Sequence, residues 1–143
     1  MATTRVFGKK EKVDVVETIS ATKTLTASDS GKTFILDASA GKVVTLPAVS
    51  INGFNAKFIV GAAFATDNWI IDSAEGDNIN GFIADMGSTV VVVVAGAEDQ
   101  INFVASAETI GDWIEIVADS GNSQWLVKGS CAANGGITAT DPS

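Results

Sequence analysis

The chain has 143 residues, a formal net charge of −8, 46% hydrophobic and 18% charged residues. A chain of that length buries roughly two-thirds of its unfolded surface in one core, and this balance excludes a disordered polymer. Histidine and tyrosine are absent, so the commonest general base and metal ligand and the phenolic acid are excluded together, and no Ser-His or Cys-His nucleophile can be assembled.

Charge is unevenly placed. Arg5, Lys9, Lys10 and Lys12 make the first twelve residues a basic arm, while the rest of the chain is strongly acidic. An acidic body repels nucleic acid and anionic membrane surfaces, so neither is expected as a partner. The start, M-A-T-T-R-V-F-G-K-K, has no apolar stretch of secretory length, and the apolar run 90–97 is far shorter than a membrane span. Cys131 is the single cysteine, which permits no intrachain disulfide and suits synthesis in a cytosol.

In chain order, residues 13–20 alternate loosely and predict a first strand, with a short second one near 23–26. Residues 33–37 and 42–46 are two apolar and β-branched runs separated by Ala-Ser-Ala-Gly, which predicts a β-hairpin with Gly41 at φ > 0 and Pro47 ending its second strand. A loop with an Asn-Gly turn follows, then strands near 56–62 and 68–72, and an acidic loop over 73–80. Val90, Val91, Val92, Val93 and Val94 are consecutive. Alternation would put valine on both faces of a strand, so the run is expected to be covered on both sides, in the core or between subunits. A strand at 101–105 and a second hairpin, 112–118 with 123–129 around A-D-S-G-N-S, complete the set. The expected fold is all-β: a single-domain sandwich or barrel of short antiparallel strands over residues 13–130, with the basic arm 1–12 before it and a flexible or partner-ordered tail 131–143, too poor in bulky apolar residues to pack a core.

Chemistry-bearing clusters all have a plainer reading. G-K-T at Gly31, Lys32 and Thr33 lacks the earlier glycine of a phosphate loop, since Thr26 stands there, and precedes a strand instead of a helix. Asp72, Glu75 and Asp77 do not have calcium-loop spacing and read as a solvated loop. Asp112, Glu115 and Asp119 could be imagined as a glycosidase pair, but Glu115 sits between isoleucines and reads as the outward residue of a strand. Trp69, Trp113 and Trp125 could stack sugars; within strands they read first as packing anchors. No catalytic group, metal or cofactor is expected.

S-D-S-G-K-T-F-I-L-D-x-x-x-G-K-V-V-T-L-P, together with G-D-W-I-E-I-V-A-D-S-G-N-S-Q-W-L-V-K-G over residues 111–129, resembles a pattern of small structural proteins of tailed bacteriophages. The likeness spans most of residues 22–129 and is closest to head decoration (cement) proteins; related domains occur in tail fibres. It implies a β-rich homotrimer on the capsid exterior, with the major capsid protein and copies of itself as partners. It implies no active site. The arm lies outside the resemblance. By composition it reads either as a solvated basic tail or as an extension that docks on an acidic protein surface; on the capsid that the resemblance implies, Arg5, Val6, Phe7, Lys9 and Lys10 are the expected binding element, and Val90 to Val94, Trp113 and Trp125 are the expected oligomer or core packing residues. The alternative is a tail-fibre or receptor-binding domain that recognises host carbohydrate.

Overall fold

A computed structural model describes residues 15–142 except 75, 77 and 90. The strands are β1 (Val16–Ile19), β2 (Lys23–Thr24), β3 (Lys32–Leu36), β4 (Val43–Thr45), β5 (Asn55–Val60), β6 (Trp69–Asp72), β7 (Ile79–Asp85), β8 (Val91–Glu98), β9 (Gln100–Phe103), β10 (Trp113–Asp119), β11 (Gln124–Cys131) and β12 (Ile137–Thr140). The only helical piece among the described residues is a 3-10 turn, Ala27–Asp29. The all-β sandwich expected from the sequence is what forms: a seven-stranded sheet in the order β1-β3-β5-β10-β11-β7-β8 against a five-stranded sheet in the order β12-β9-β6-β4-β2.

The strands are not uniformly antiparallel. From β1 to β6 the chain crosses from one sheet to the other at every step, so β1, β3 and β5 pair in parallel on one side and β2, β4 and β6 on the other. The hairpin predicted over residues 33–46 is therefore absent, because β3 and β4 belong to different sheets. The small residues between them form a corner. Phe34 and Leu36 point into the sandwich from one side and Val44 and Leu46 from the other, all at most 2% exposed. Gly41 also has a different task from the one expected. It is not among the positive-φ residues; it allows the corner to touch the backbone of the next corner, where a Cβ would lie 2.2 Å from the Asn68 carbonyl carbon.

The second predicted hairpin is present as β10 and β11, antiparallel with Glu115 opposite Lys128 and Val117 opposite Leu126. Its inward residues Ile114, Ile116, Trp125 and Val127 join Phe58, Trp69, Ile101 and Phe103 in one core. Phe34 stacks on Phe58 at 5.4 Å, and Phe54 meets Trp125 edge-on at 5.9 Å, both geometries that add to plain area burial.

The body does not end at residue 130. Cys131 is the last residue of β11 and is buried, and β12 pairs antiparallel with β9, placing Ile137 opposite Phe103 at 0% exposure. One isoleucine at the right register is enough to seat a strand of otherwise small residues. Two buried carboxylates hold the turn between them: Asp85 accepts the Gly135 N–H and Asp112 accepts the Ala132 N–H, each at 2.9 Å.

Candidate interaction surface

The side chains that leave the sandwich on its two outer faces differ in kind. On the five-stranded sheet the register aligns Thr24, Thr45, Asp72, Gln100 and Thr140 in one row. The Gln100 amide donates to Asp72 at 2.9 Å and the Asn102 amide to the Thr140 hydroxyl at 2.9 Å. These two bonds pair four of the polar side chains on that face, and the next row adds the half-buried Val43 and Ile70.

The seven-stranded sheet turns large apolar side chains outward. Phe82 (52% exposed), Val91 (49%), Leu126 (43%) and Val117 (41%) stand on it, with Ile35, Ile59 and Trp113 half-buried beside them. Register explains the grouping. Ile59 is opposite Trp113, Ser130 is opposite Trp113 on the other side, and Ala84 is opposite Val91, giving one row across the sheet that is apolar except at Ser130. The neighbouring row holds three charges, Lys57, Glu115 and Lys128, on successive strands; the other outward charge on these strands, Asp119, lies at the end of β10 opposite Gln124. The Lys57 ammonium sits 4.8 Å from the Trp113 ring centroid, a cation–π distance. Among the described residues neither lysine closes an ion pair with Glu115.

The valine run lies at the open edge of this sheet. β8 pairs with β7 alone in the sheet, with Val94 buried at 2% and Val91 half exposed. Within one chain Val94 is in the core and Val92 is partly buried against it, while Val91 stands on the outer face of the sheet, over which this chain packs no further layer. The strand carries its own partial guard: a bulge opposite Ile79 and Asn80, Gly96 at φ 82, and the Glu98 carboxylate accepting the Ala95 N–H at 3.0 Å. Bulges and charges of this sort blunt an edge against indiscriminate pairing.

Val90 and the arm residues Arg5, Val6, Phe7, Lys9 and Lys10 lie outside the described residues, as do Glu75 and Asp77. Trp125 and Trp69 are core at 0% exposure, whereas Trp113 is on the outer face, so the three do not form one sugar platform. Asp112 is buried and accepts the Thr109 and Ala132 amides, Glu115 is outward in mid-strand, and Asp119 is held by the Asn122 and Gln124 amides, which keep its carboxyl below the usual range. Burial pushes the Cys131 thiol up, with Asp85 and Asp112 adding to the shift, which disfavours the reactive thiolate.

A network that leaves no signal in the sequence lies at the open β1 end of the sandwich. Glu17 receives Lys32 at 2.8 Å and Lys23 at 3.1 Å, and Lys32 also reaches Asp29 at 3.0 Å. The Lys32 and Lys23 hydrogen bonds lower the Glu17 carboxyl. Burial acts to raise Asp29, but the Thr26 amide and Lys32 outweigh it and the net shift is downward. Lys32 is shifted up by Glu17 and then Asp29. Partners fifteen positions apart leave no local spacing signal; only the parallel pairing of β1 with β3 brings them together.

Among the described residues no group of three or more metal-type ligands is assembled and no helix is long and apolar enough to cross a membrane. No family model, curated protein or solved structure matches this chain.

Proposed function

We propose that the chain is a bacteriophage head decoration (cement) protein, made in the host cytoplasm, that binds the major capsid protein on the outer surface of the virion and reinforces the shell. It works by contact and not by catalysis, as an assembly of copies of itself. The observation that carries this reading is the contrast between the two outer faces: one with a row of Thr24, Thr45, Asp72, Gln100 and Thr140 and no strongly exposed large apolar side chain, the other bearing exposed Phe82, Val91, Val117 and Leu126. Exposed apolar patches of that kind mark contact sites. The sequence resemblance supplies the shell as the setting.

Attachment is assigned to the basic arm, where Phe7 would bury between Arg5, Lys9 and Lys10 while these pair with carboxylates of the shell. A buried aromatic anchor contributes about 2 kcal/mol or more, and rim charges mainly speed association. Mass spectrometry of purified virions, with imaging to place the protein on the head, tests the reading directly. Deleting residues 1–12 should leave folding intact and abolish binding to undecorated capsids; a truncated protein that decorates as well as the full chain would remove the arm from the account.

A second reading, a carbohydrate-recognising tail-fibre domain, is favoured by one observation, the half-exposed Trp113 ring. Glycan binding that is lost in Trp113→Ala, with the protein located on the tail, would replace the first reading by this one.

A further inference from the structure

The outer face of the seven-stranded sheet has a charge pattern that is complementary to itself. Lys57, Glu115 and Lys128 follow one another on β5, β10 and β11, and Phe82 continues the row on β7. Elsewhere among the described residues only Lys23, Lys32 and Lys42 are basic, and the first two are tied to Glu17. A second acidic copy of the chain is therefore repelled by most of the surface and least by this face.

We infer that this face packs on the same face of a second copy, about a two-fold axis that runs along the strands between β10 and β11. Such an axis keeps each row in place and exchanges β10 with β11, β5 with β7 and β3 with β8. Glu115 then faces the partner's Lys128, and Lys128 faces the partner's Glu115. In the row above, Val117 meets the partner's Leu126 and Asn55 meets the partner's Asn80. In the row below, Ile59 meets the partner's Ala84 and Ile35 meets the partner's Val91. No like charges face each other, and no charge faces an aliphatic residue. Lys57 faces the partner's Phe82, a cation over an aromatic ring.

Relief agrees with charge. A hollow lined by Thr33, Asn55, Lys57, Glu115 and Val117 lies over β3, β5 and β10, and the side chain that the two-fold brings above it is Phe82, the most exposed of the apolar residues on β7, β10 and β11. Two sheets packed face to face about 10 Å apart interdigitate in this manner. The same contact covers Val91 at the β8 edge, which a single chain leaves open. The inference rests on the self-association within the reading above, not on the virion. It also changes the copy number: a two-fold face closes on two chains, whereas the homotrimer implied by the resemblance would need two different surfaces.

The test uses two variants of the full chain, each at exposed or half-exposed positions: Lys128→Glu, whose row becomes acidic at both central positions, and Glu115→Lys, whose row becomes basic at both. Native mass spectrometry of the wild type should give the mass of two 14.6 kDa chains. Each variant alone should be folded by circular dichroism and dissociate at least tenfold more readily, since like charges then face each other twice. Mixed in equal amounts, the two should form a heterodimer about as readily as the wild type dimerises, because both facing pairs are opposite again. A wild type that is monomeric at tens of micromolar or has the mass of three chains overturns the inference. So do variants that assemble normally alone, or folded variants that fail to pair when mixed. If Glu115→Lys does not fold, Phe82→Ser replaces it, and that change must also weaken the dimer at least tenfold or the inference fails. Absence of the protein from virions would remove the decoration reading and leave this one standing.

Discussion

Gly41 and Asn68 are in backbone contact across two corners of the sandwich. A Cβ on Gly41 would come within 2.2 Å of the Asn68 carbonyl carbon and oxygen, and the Gly41 N–H already donates to the Thr66 carbonyl at 2.8 Å. No side-chain rotation relieves such a clash. The two corners can lie one upon the other only with glycine here, and that stacking keeps β4 and β6 in parallel register.

Gly41→Ala should therefore cost about 3 kcal/mol, at the upper end for overpacking a filled site. Gly53 supplies the comparison: it has φ 77 but nothing within 4 Å of an added Cβ, so Gly53→Ala should cost only the left-handed backbone penalty of about 1–2 kcal/mol. Urea unfolding of both variants checks this. Equal costs would mean that the corner contact is not a constraint.

The tryptophans give a second comparison. Trp125→Ala empties a fully buried site against Phe54 and should destabilise by about 3–5 kcal/mol. Trp113→Ala removes a half-buried ring under Lys57 and should cost the single chain about 1 kcal/mol, typical of a substitution outside the core. Thermal melts at low protein concentration, where self-association is minimised, should rank the two in that order; the reverse ranking would place Trp113 and not Trp125 in the core.

Acid should weaken the β1 end of the molecule first. Glu17 and Asp29 both have folded values below their ordinary 4.5 and 3.8, so their contribution is complete above those values and is lost as pH falls through the lowered folded ones. Lys32→Met removes a shared partner of the two. The variant should be less stable than the wild type at pH 7, and the gap should shrink as pH drops below about 4, where the wild type's carboxylates protonate as well. Urea melts at pH 7 and pH 3 measure the gap; a gap of equal size at both would show that Lys32 acts through packing alone. The pairs are partly exposed to solvent, so the gap at pH 7 should be small.

The legible parts of the sequence were those whose signal is local. Ile114, Ile116 and Ala118 alternate inward with Glu115 and Val117 outward, and a tight turn returns the chain, so β10 and β11 could be read directly. The same vocabulary misleads over residues 33–46, because short apolar runs joined by small residues describe a corner between sheets as well as a hairpin; which one forms depends on β5 pairing with β3, a contact more than twenty residues away. β7 was not legible: its first two residues, Ile79 and Asn80, fall in the stretch expected as an acidic loop, and Gly81 follows them. Gly81 is there for close approach, since a Cβ would fall on the Val127 carbonyl oxygen. The outer face was half visible: the valine run announced a need for cover, but its grouping with Phe82, Leu126 and Val117 depends on strand order, which periodicity does not carry.

Hydroxyl-radical footprinting across a dilution series measures, residue by residue, whether the outer face of the seven-stranded sheet is covered when copies associate. In concentrated protein Phe82, Leu126 and Val117 should label several-fold less than in dilute protein, while Val43 and Ile70 on the five-stranded sheet should label equally in both. Equal labelling of Phe82 and Leu126 at every concentration, in a sample whose mass shows association, would contradict the account by placing the contact on another surface.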